Sequence, residues 1–300
     1  MSASLIDTIL GCIVGGAIGD AAGAAFEGRD DLPANSQLLG EDARLTDDTQ
    51  LTLATCEALV ESGKPDPALI ADSFLRWYRA RRLTCLGAST FKALRDLDVG
   101  AHWALAGRKG DRAAGNGAAM RIAPLAFCID PWHDDSRQVI RDICRITHHN
   151  DEAYIGALAV LLAIHRLAKK VDWSLHKIAS FLPNTSVRDR LSTYADLTPG
   201  SSLKETAVLY GTSGYVVESV PFALFAAAQV HELGFVGMLE QVIAAGGDTD
   251  TNASIAGQVA GTALGFGQLP RELVTRLPQG DLVLGIARRF AERVEASIWR

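Results

Sequence analysis

Two acidic clusters hold the side chains best suited to chemistry. The first is Thr46-Asp47-Asp48-Thr49-Gln50, and the second is Gly246-Gly247-Asp248-Thr249-Asp250-Thr251-Asn252. Each sets two carboxylates among threonine hydroxyls at the start of a segment that reads as helix, and neither holds His or Cys. An all-oxygen donor set suits hard cations such as Mg2+ or Mn2+ and not Zn2+. Helix capping is the plainer account. Asp47 with Gln50 three residues on has the pattern of a capping box, and Asp250 or Thr251 suits a helix start after a Gly-Gly turn. A cap needs one acceptor, however, and each cluster supplies several. Carboxylates crowded together raise one another's pKa and repel unless cations bridge them. If the clusters meet in space, they predict a two-metal hydrolytic site.

Three other pieces carry polar groups of interest. Glu27 follows the apolar, Gly-rich run that contains Asp20 and precedes the loop 28–40, so it reads either as an exposed loop carboxylate or as one on a lid beside the metals. Asp20 itself reads as structural, orienting neighbouring backbone. Gly115-Asn116-Gly117 before a presumptive helix would offer free N–H groups to a phosphate, although Asn-Gly is also a common turn. Thr147-His148-His149-Asn150 sets two imidazoles just ahead of a new helix, where a cap, a core contact or a pocket role is open to them.

The elements that must position these groups are helical. Apolar spacing of three and four predicts helices over 3–24, 49–62, 66–80, 117–128, 136–147, 151–169, 173–181, 215–231, 234–245, 251–265 and 282–298. Period-two runs are nearly absent, and Val139-Ile140 and Val216-Val217 sit inside helical patterns. Segments 28–40, 108–117 and 197–214 read as loops. Gly11, Gly15, Gly19 and Gly23, with Gly16 beside them, and later Gly257, Gly261 and Gly265, recur at spacing four. Glycine in a helix costs about 0.5–1 kcal/mol against alanine, so this repetition predicts close helix–helix approach that offsets the cost. The expectation is an all-α chain, one compact multi-helix domain over 1–300 around a central cleft.

Bulk properties fit that reading. The chain has 300 residues, 48% hydrophobic, with mean hydropathy +0.12, enough for a large core. Net charge is −6 with a pI near 5.7, which argues against a nucleic-acid binder. Arg76, Arg79, Arg81 and Arg82 read as a solvated helix end. Five widely spread cysteines form no CxxC pair and read as free thiols of a reducing compartment. The N-terminus lacks a basic leader and carries Asp7 and Asp20, and no uncharged apolar run has the length of a membrane span. A cytoplasmic protein with no membrane partner is expected.

Taken together, the motifs resemble those of the ADP-ribosylglycohydrolases, the family of dinitrogenase-reductase-activating glycohydrolase and the ADP-ribosyl-acceptor hydrolases. The matching pieces run in the family's order over about residues 10–265: Gly15-Gly16-Ala17-Ile18-Gly19-Asp20-Ala21-Ala22-Gly23 with Glu27; Thr46-Asp47-Asp48-Thr49-Gln50; Gly115-Asn116-Gly117-Ala118-Ala119-Met120-Arg121; Thr147-His148; Gly214-Tyr215-Val216-Val217-Glu218; and Gly247-Asp248-Thr249-Asp250-Thr251. The resemblance implies an orthogonal all-α fold with a binuclear Mg2+ or Mn2+ centre. It implies hydrolysis of the bond between ribose C1″ and an acceptor atom in ADP-ribosylated protein or a small ADP-ribose conjugate. Nucleic acid would enter only as an ADP-ribosylated substrate, and the protein would be a monomer. Carried over by position, Thr46, Asp47, Asp48, Asp248, Asp250 and Thr251 would hold the metals. Asp48, Glu27 and Asp250 would be catalytic, Glu27 or Asp48 taking a proton from water. Gly115 and Asn116 would help hold pyrophosphate and ribose, His148 the ribose or phosphate side, and Tyr215 the adenine face, with Gly117 and Gly214 also binding substrate. The stretch Arg108-Lys109-Gly110-Asp111-Arg112-Ala113-Ala114 lacks the aromatic and Ser residues of the serine-specific members, which favours an arginine- or guanidine-type acceptor, or an unusual substrate. Two other readings are a non-catalytic ADP-ribose binder or crystallin-like member, and a Mg2+-dependent hydrolase of another nucleotide-like substrate.

Overall fold

A computed structural model describes residues 4–29, 38–197 and 200–296. Fifteen α-helices are found among them: α1 (Leu5–Gly23), α2 (Asp47–Ser62), α3 (Pro67–Arg79), α4 (Ala88–Asp98), α5 (Trp103–Ala106), α6 (Asp134–Arg145), α7 (Asp151–Ala168), α8 (Leu175–Ser180), α9 (Ser186–Ala195), α10 (Leu203–Tyr210), α11 (Val216–Ala228), α12 (Val230–Ala244), α13 (Thr249–Leu264), α14 (Arg271–Arg276) and α15 (Gly280–Ala296). The strands among the described residues are β1 (Arg108–Lys109) and β2 (His148–His149), two residues each and paired in parallel.

The glycine repeats set the geometry of the centre. A Cβ on Gly11 would meet the Gly261 carbonyl, one on Gly15 that of Gly257, one on Gly19 that of Ala253, and one on Gly23 that of Thr249. The partners descend in number as α1 ascends, so α1 and α13 are antiparallel and pack backbone against backbone. The C-terminal end of α1 therefore lies beside the N-terminal end of α13. By length and hydropathy, 1.6 over its best window, α1 could cross a membrane, yet 83% of that window is buried inside the protein. Helices α7, α11 and α13 pack around the same centre, and α15 covers α1 and α2. Gly156 of α7 lets α11 approach, since a Cβ there would strike the Val216 side chain.

Several expected boundaries move. Residues 117–128 are two 3-10 turns, Asn116–Ala118 and Ala123–Phe127, rather than an α-helix. Pro124, which lacks a donor N–H, sits in the second of them. The expected loop 197–214 contains α10, opened by a Ser202 cap on Glu205 N–H. Helices α4, α5, α9 and α14 lie outside the predicted segments. Residues 30–37, most of the expected lid, lie outside the described residues.

Candidate metal centre and active site

Asp20, in the last turn of α1, fixes the first acidic cluster. It is fully buried, and both oxygens are occupied. Oδ1 accepts from the Thr46 hydroxyl (2.6 Å), and Oδ2 accepts from Thr46 N–H (3.0 Å), Thr49 N–H (3.2 Å) and the Thr49 hydroxyl. Burial raises the Asp20 pKa, and these four donors oppose the rise. Thr46 is the N-cap of α2, its Oγ1 accepting from Asp48 N–H (3.3 Å). The capping box expected from Asp47 and Gln50 does not form. Gln50 instead accepts from Thr84 N–H (2.7 Å) and donates to Thr84 Oγ1 (2.8 Å) and the Leu45 carbonyl (3.1 Å). It ties the segment 83–87 to the first turn of α2, and Asp47 adds a long contact from Gly87 N–H (3.4 Å).

The second cluster meets the first as the antiparallel pair requires. Carboxylate oxygens of Asp20, Asp48 and Asp250 lie within 4.8 Å of one another, and so do those of Glu27, Asp248 and Asp250. Asp250 belongs to both groups. Thr251 Oγ1 donates to Asp48 Oδ2 (3.2 Å), joining the two helix starts directly. Neither Asp250 nor Thr251 is the cap of α13. Asp248 takes that position without a side-chain capping bond, and its carboxylate accepts from Asn116 Nδ2 (2.8 Å) instead.

Electrostatics make the cluster unsatisfied as it stands. Burial, then Asp250 and the neighbouring carboxylates, pushes Asp48 well above the usual range. Burial pushes Asp47 up to about 8 and, with Asp248, pushes Asp250 up to about 9. Asp48 Oδ1 is buried with no hydrogen-bond partner. A buried carboxylate oxygen facing other carboxylates with no donor is costly unless a cation meets it. The surrounding set is carboxylate and hydroxyl oxygen, so the residues fit a hard divalent cation.

These groups line one wall of a cavity of about 630 Å3. Glu27 is exposed at its edge. The adjoining wall, against Asp248, is built by residues 114–116 pairing with 214–216: Asn116 N–H donates to the Gly214 carbonyl (3.1 Å), and Val216 N–H to that of Ala114 (3.0 Å). The Gly115-Asn116-Gly117 turn is thus a 3-10 turn held by an extended neighbour, and the expected helix N-terminus is not there. His148 lies beneath it, so that a Cβ on Gly117 would come within 2.8 Å of His148 Cε1. Burial, then Arg121 and Arg108, pulls His148 down to about 3, so the ring is neutral. Tyr215 is the exposed N-cap of α11 and stands next to the cavity rather than among its lining residues. Sequence reasoning missed Cys85, Met120, Ser213 and the first turn of α4, Ala88 to Thr90, all of which line the cavity. Gly87 opens α4 without a side-chain cap, leaving N–H groups at a helix N-terminus facing this space. Gly87 before Ala-Ser-Thr was the signal available.

A model of the ADP-ribosylglycohydrolase family matches residues 1–298. The chain belongs to that family. It is a hydrolase of glycosidic bonds to ADP-ribose in a metal-dependent family, and acidic residues that could hold a metal line this cavity. It is 29% identical to an ADP-ribosylarginine hydrolase of Pseudomonas putida, over 96% of this chain and 79% of that one. It is 26% identical to the ADP-ribosyl-[dinitrogen reductase] glycohydrolase of Rhodospirillum rubrum, over 98% and 96%. A solved ADP-ribosylglycohydrolase-related protein complex superposes with a TM-score of 0.72 at 27% identity, covering 97% of this chain and 99% of that chain.

Proposed function

We propose that this glycohydrolase releases ADP-ribose from arginine side chains of modified proteins, with two divalent cations, Mg2+ or Mn2+, held between the starts of α2 and α13. The observation that carries the metal reading is the partnerless, buried Asp48 Oδ1 among raised carboxylates. Thr46, Asp47, Asp48, Asp248, Asp250 and Thr251 would hold the cations. When bound, they would neutralise the cluster and act as Lewis acids on oxygen groups of the ribosyl moiety.

The chain's own residues divide the remaining work. Asp48 is 1% exposed, which suits a ligand better than a proton carrier. Glu27 is exposed, and its oxygens lie close to those of Asp248 and Asp250, so it is the group to take a proton from the attacking water. Cleavage at C1″ builds positive charge on the ribose, and the carboxylates of this wall stabilise it. The rest of the lining suits the anionic part of the substrate, with the uncapped first turn of α4 and the neutral imidazole of His148 as donors.

For the acceptor, a guanidinium leaving group is supported by the name of the Pseudomonas putida relative and by the polar, non-aromatic lining of Glu27, Cys85, Ser89 and Ser213. The test is metal-dependent ADP-ribose release from arginine-, serine- and nucleic-acid-linked substrates and from O-acetyl-ADP-ribose. Arginine is expected to lead by about tenfold or more, which is about 1.4 kcal/mol of discrimination. Faster release from serine or from O-acetyl-ADP-ribose would overturn the acceptor assignment.

A further inference from the structure

Arg121 is 1% exposed, yet no carboxylate among the described residues lies within ion-pair reach of it. Its guanidinium lies over the Phe74 ring (4.7 Å), and its Nε and Nη1 have no partner. Burial lowers its pKa only to about 10, so it stays charged at neutral pH. An unpaired buried cation is expensive, and a hydrophobic residue of similar size would serve packing better. What Arg121 does contact is specific. Nη2 donates to the Ile143 carbonyl (3.2 Å) and to Thr147 Oγ1 (2.9 Å), and Thr147 Oγ1 lies 2.8 Å from His148 Nδ1.

The bonding roles along this chain follow from donor counts. A guanidinium can only donate, so the Thr147 oxygen accepts from it. The hydroxyl has one proton and, among the described residues, no acceptor for it other than Nδ1 of the neutral His148. That leaves the ring proton on Nε2, the nitrogen turned towards Gly115 and Gly117 in the cavity wall. The other ionisable neighbours do not compete. Cys144 is pushed up to about 12 and stays a thiol, the Arg108 guanidinium can only donate, and Asp47 acts on Arg121 from beyond ion-pair reach.

We propose that Arg121 is a positioning residue which, through Thr147, locks His148 as an Nε2–H donor for an oxygen acceptor of the bound ADP-ribosyl group. In the other tautomer Nε2 would present a lone pair to that oxygen and repel it. The identity of the ligand rests on the ADP-ribosyl reading of the cavity, whereas the tautomer itself does not.

The experiment uses the full chain with Mg2+ and 15N-labelled histidine, with His148 assigned by difference from His148→Gln. Imidazole 15N spectra at neutral pH are expected to show His148 as the Nε2–H tautomer. Arg121→Met should shift it to a mixture or to Nδ1–H. The same variant should weaken ADP-ribose binding about tenfold, the loss of one hydrogen bond, while its thermal midpoint stays or rises because the unpaired charge is gone. Thr147→Val should reproduce the tautomer shift and Thr147→Ser should restore the wild-type spectrum, a pair that carries the test if Arg121→Met does not fold. An Nδ1–H tautomer in the wild-type protein would overturn the proposal. So would an unchanged tautomer in both Arg121→Met and Thr147→Val. Absence of ADP-ribose binding by the wild-type protein would count against the substrate reading and not against the relay.

Discussion

The starts of α2 and α13 are built from nearly the same residues and are held in opposite ways. At α2 the backbone donors are satisfied from behind, by Asp20 of α1 and by the Thr46 hydroxyl. At α13 the cap residue Asp248 makes no capping bond and reaches across to Asn116, and Asp250 accepts from its neighbour Thr251 N–H (2.8 Å). The first start is therefore held through a carboxylate of α1, whereas the second gives its donors to the Gly23 and Thr212 carbonyls and has its Asp248 carboxylate oriented by Asn116. The difference teaches where a carboxylate becomes available for chemistry. A helix start normally consumes its own acidic side chain. Here a third helix supplies the acceptor at α2, which leaves Asp48 unspent, with one oxygen orphaned in the cavity wall.

The largest expected effect removes charge from each start in turn. Asp48→Asn and Asp250→Asn should each lower metal-dependent hydrolysis by roughly a hundredfold or more, as losing an electrostatic catalytic group does, with the circular dichroism of the folded protein retained. If either variant kept near-native turnover at saturating Mg2+, the shared-cluster reading would fail.

The next change separates scaffold from site. Asp20→Asn puts amide donors against the N–H and hydroxyl donors of Thr46 and Thr49. It should lower folding stability by about 2–3 kcal/mol, the scale of a buried charge-assisted network left unsatisfied. The readout is a denaturant midpoint. A small loss, of the size seen at an exposed cap, would mean that α2 holds its own start.

Metal removal should then reveal the charge stored in both starts. For Asp47 and Asp250 the folded pKa values, about 8 and about 9, lie above the ordinary carboxylate value of 3.8. The metal-free folded protein therefore holds protons that the unfolded chain has released. Stability from this source is fully present below the unfolded pKa, falls as pH rises from there, and is lost through about 8 to 9. Thermal midpoints in chelator should decline over that window, and added Mg2+ or Mn2+ should restore most at the alkaline end. A flat midpoint in chelator would show that the carboxylates do not share one buried site.

How much of this was legible in the sequence follows the same division. The four-residue glycine spacing in α1 and α13 predicted close approach, because only backbone contact explains so many helix-weakening residues on one face. The acidic clusters announced an oxygen site by donor type alone, and Asp20 read correctly as an orienting group. What failed were the assignments resting on a local rule. Gln50 looked like a capping-box partner, but a segment distant in sequence, Thr84, offers it better bonds. Gly115-Asn116-Gly117 looked like a helix start, but pairing with 214–216 absorbs the Asn116 N–H. The first turn of α4 went unread because its Gly87 cap carries no side chain to signal it.

The smallest predicted effect tests the α13 side of the comparison. Asn116→Ala removes the side-chain bond from the 114–116 segment to Asp248, while the turn itself stays held by backbone pairing with Gly214. Asp248 then keeps its charge and loses its orientation. The expected result is a rise of a few-fold to about tenfold in the metal concentration for half-maximal activity, on the scale of losing a group that orients a ligand from outside the metal's own shell. The turnover number at saturating metal should change little, and the thermal midpoint of the metal-free protein should stay within about a degree or two of wild type, as for a part-buried bond with solvent access. Asn116→Asp sharpens the test, because a carboxylate facing Asp248 should weaken metal-free stability and yet be tolerated when cations are abundant. A loss of turnover at saturating metal in Asn116→Ala would instead assign Asn116 to the substrate, and the α13 start would then be oriented by its own backbone, as α2 is not.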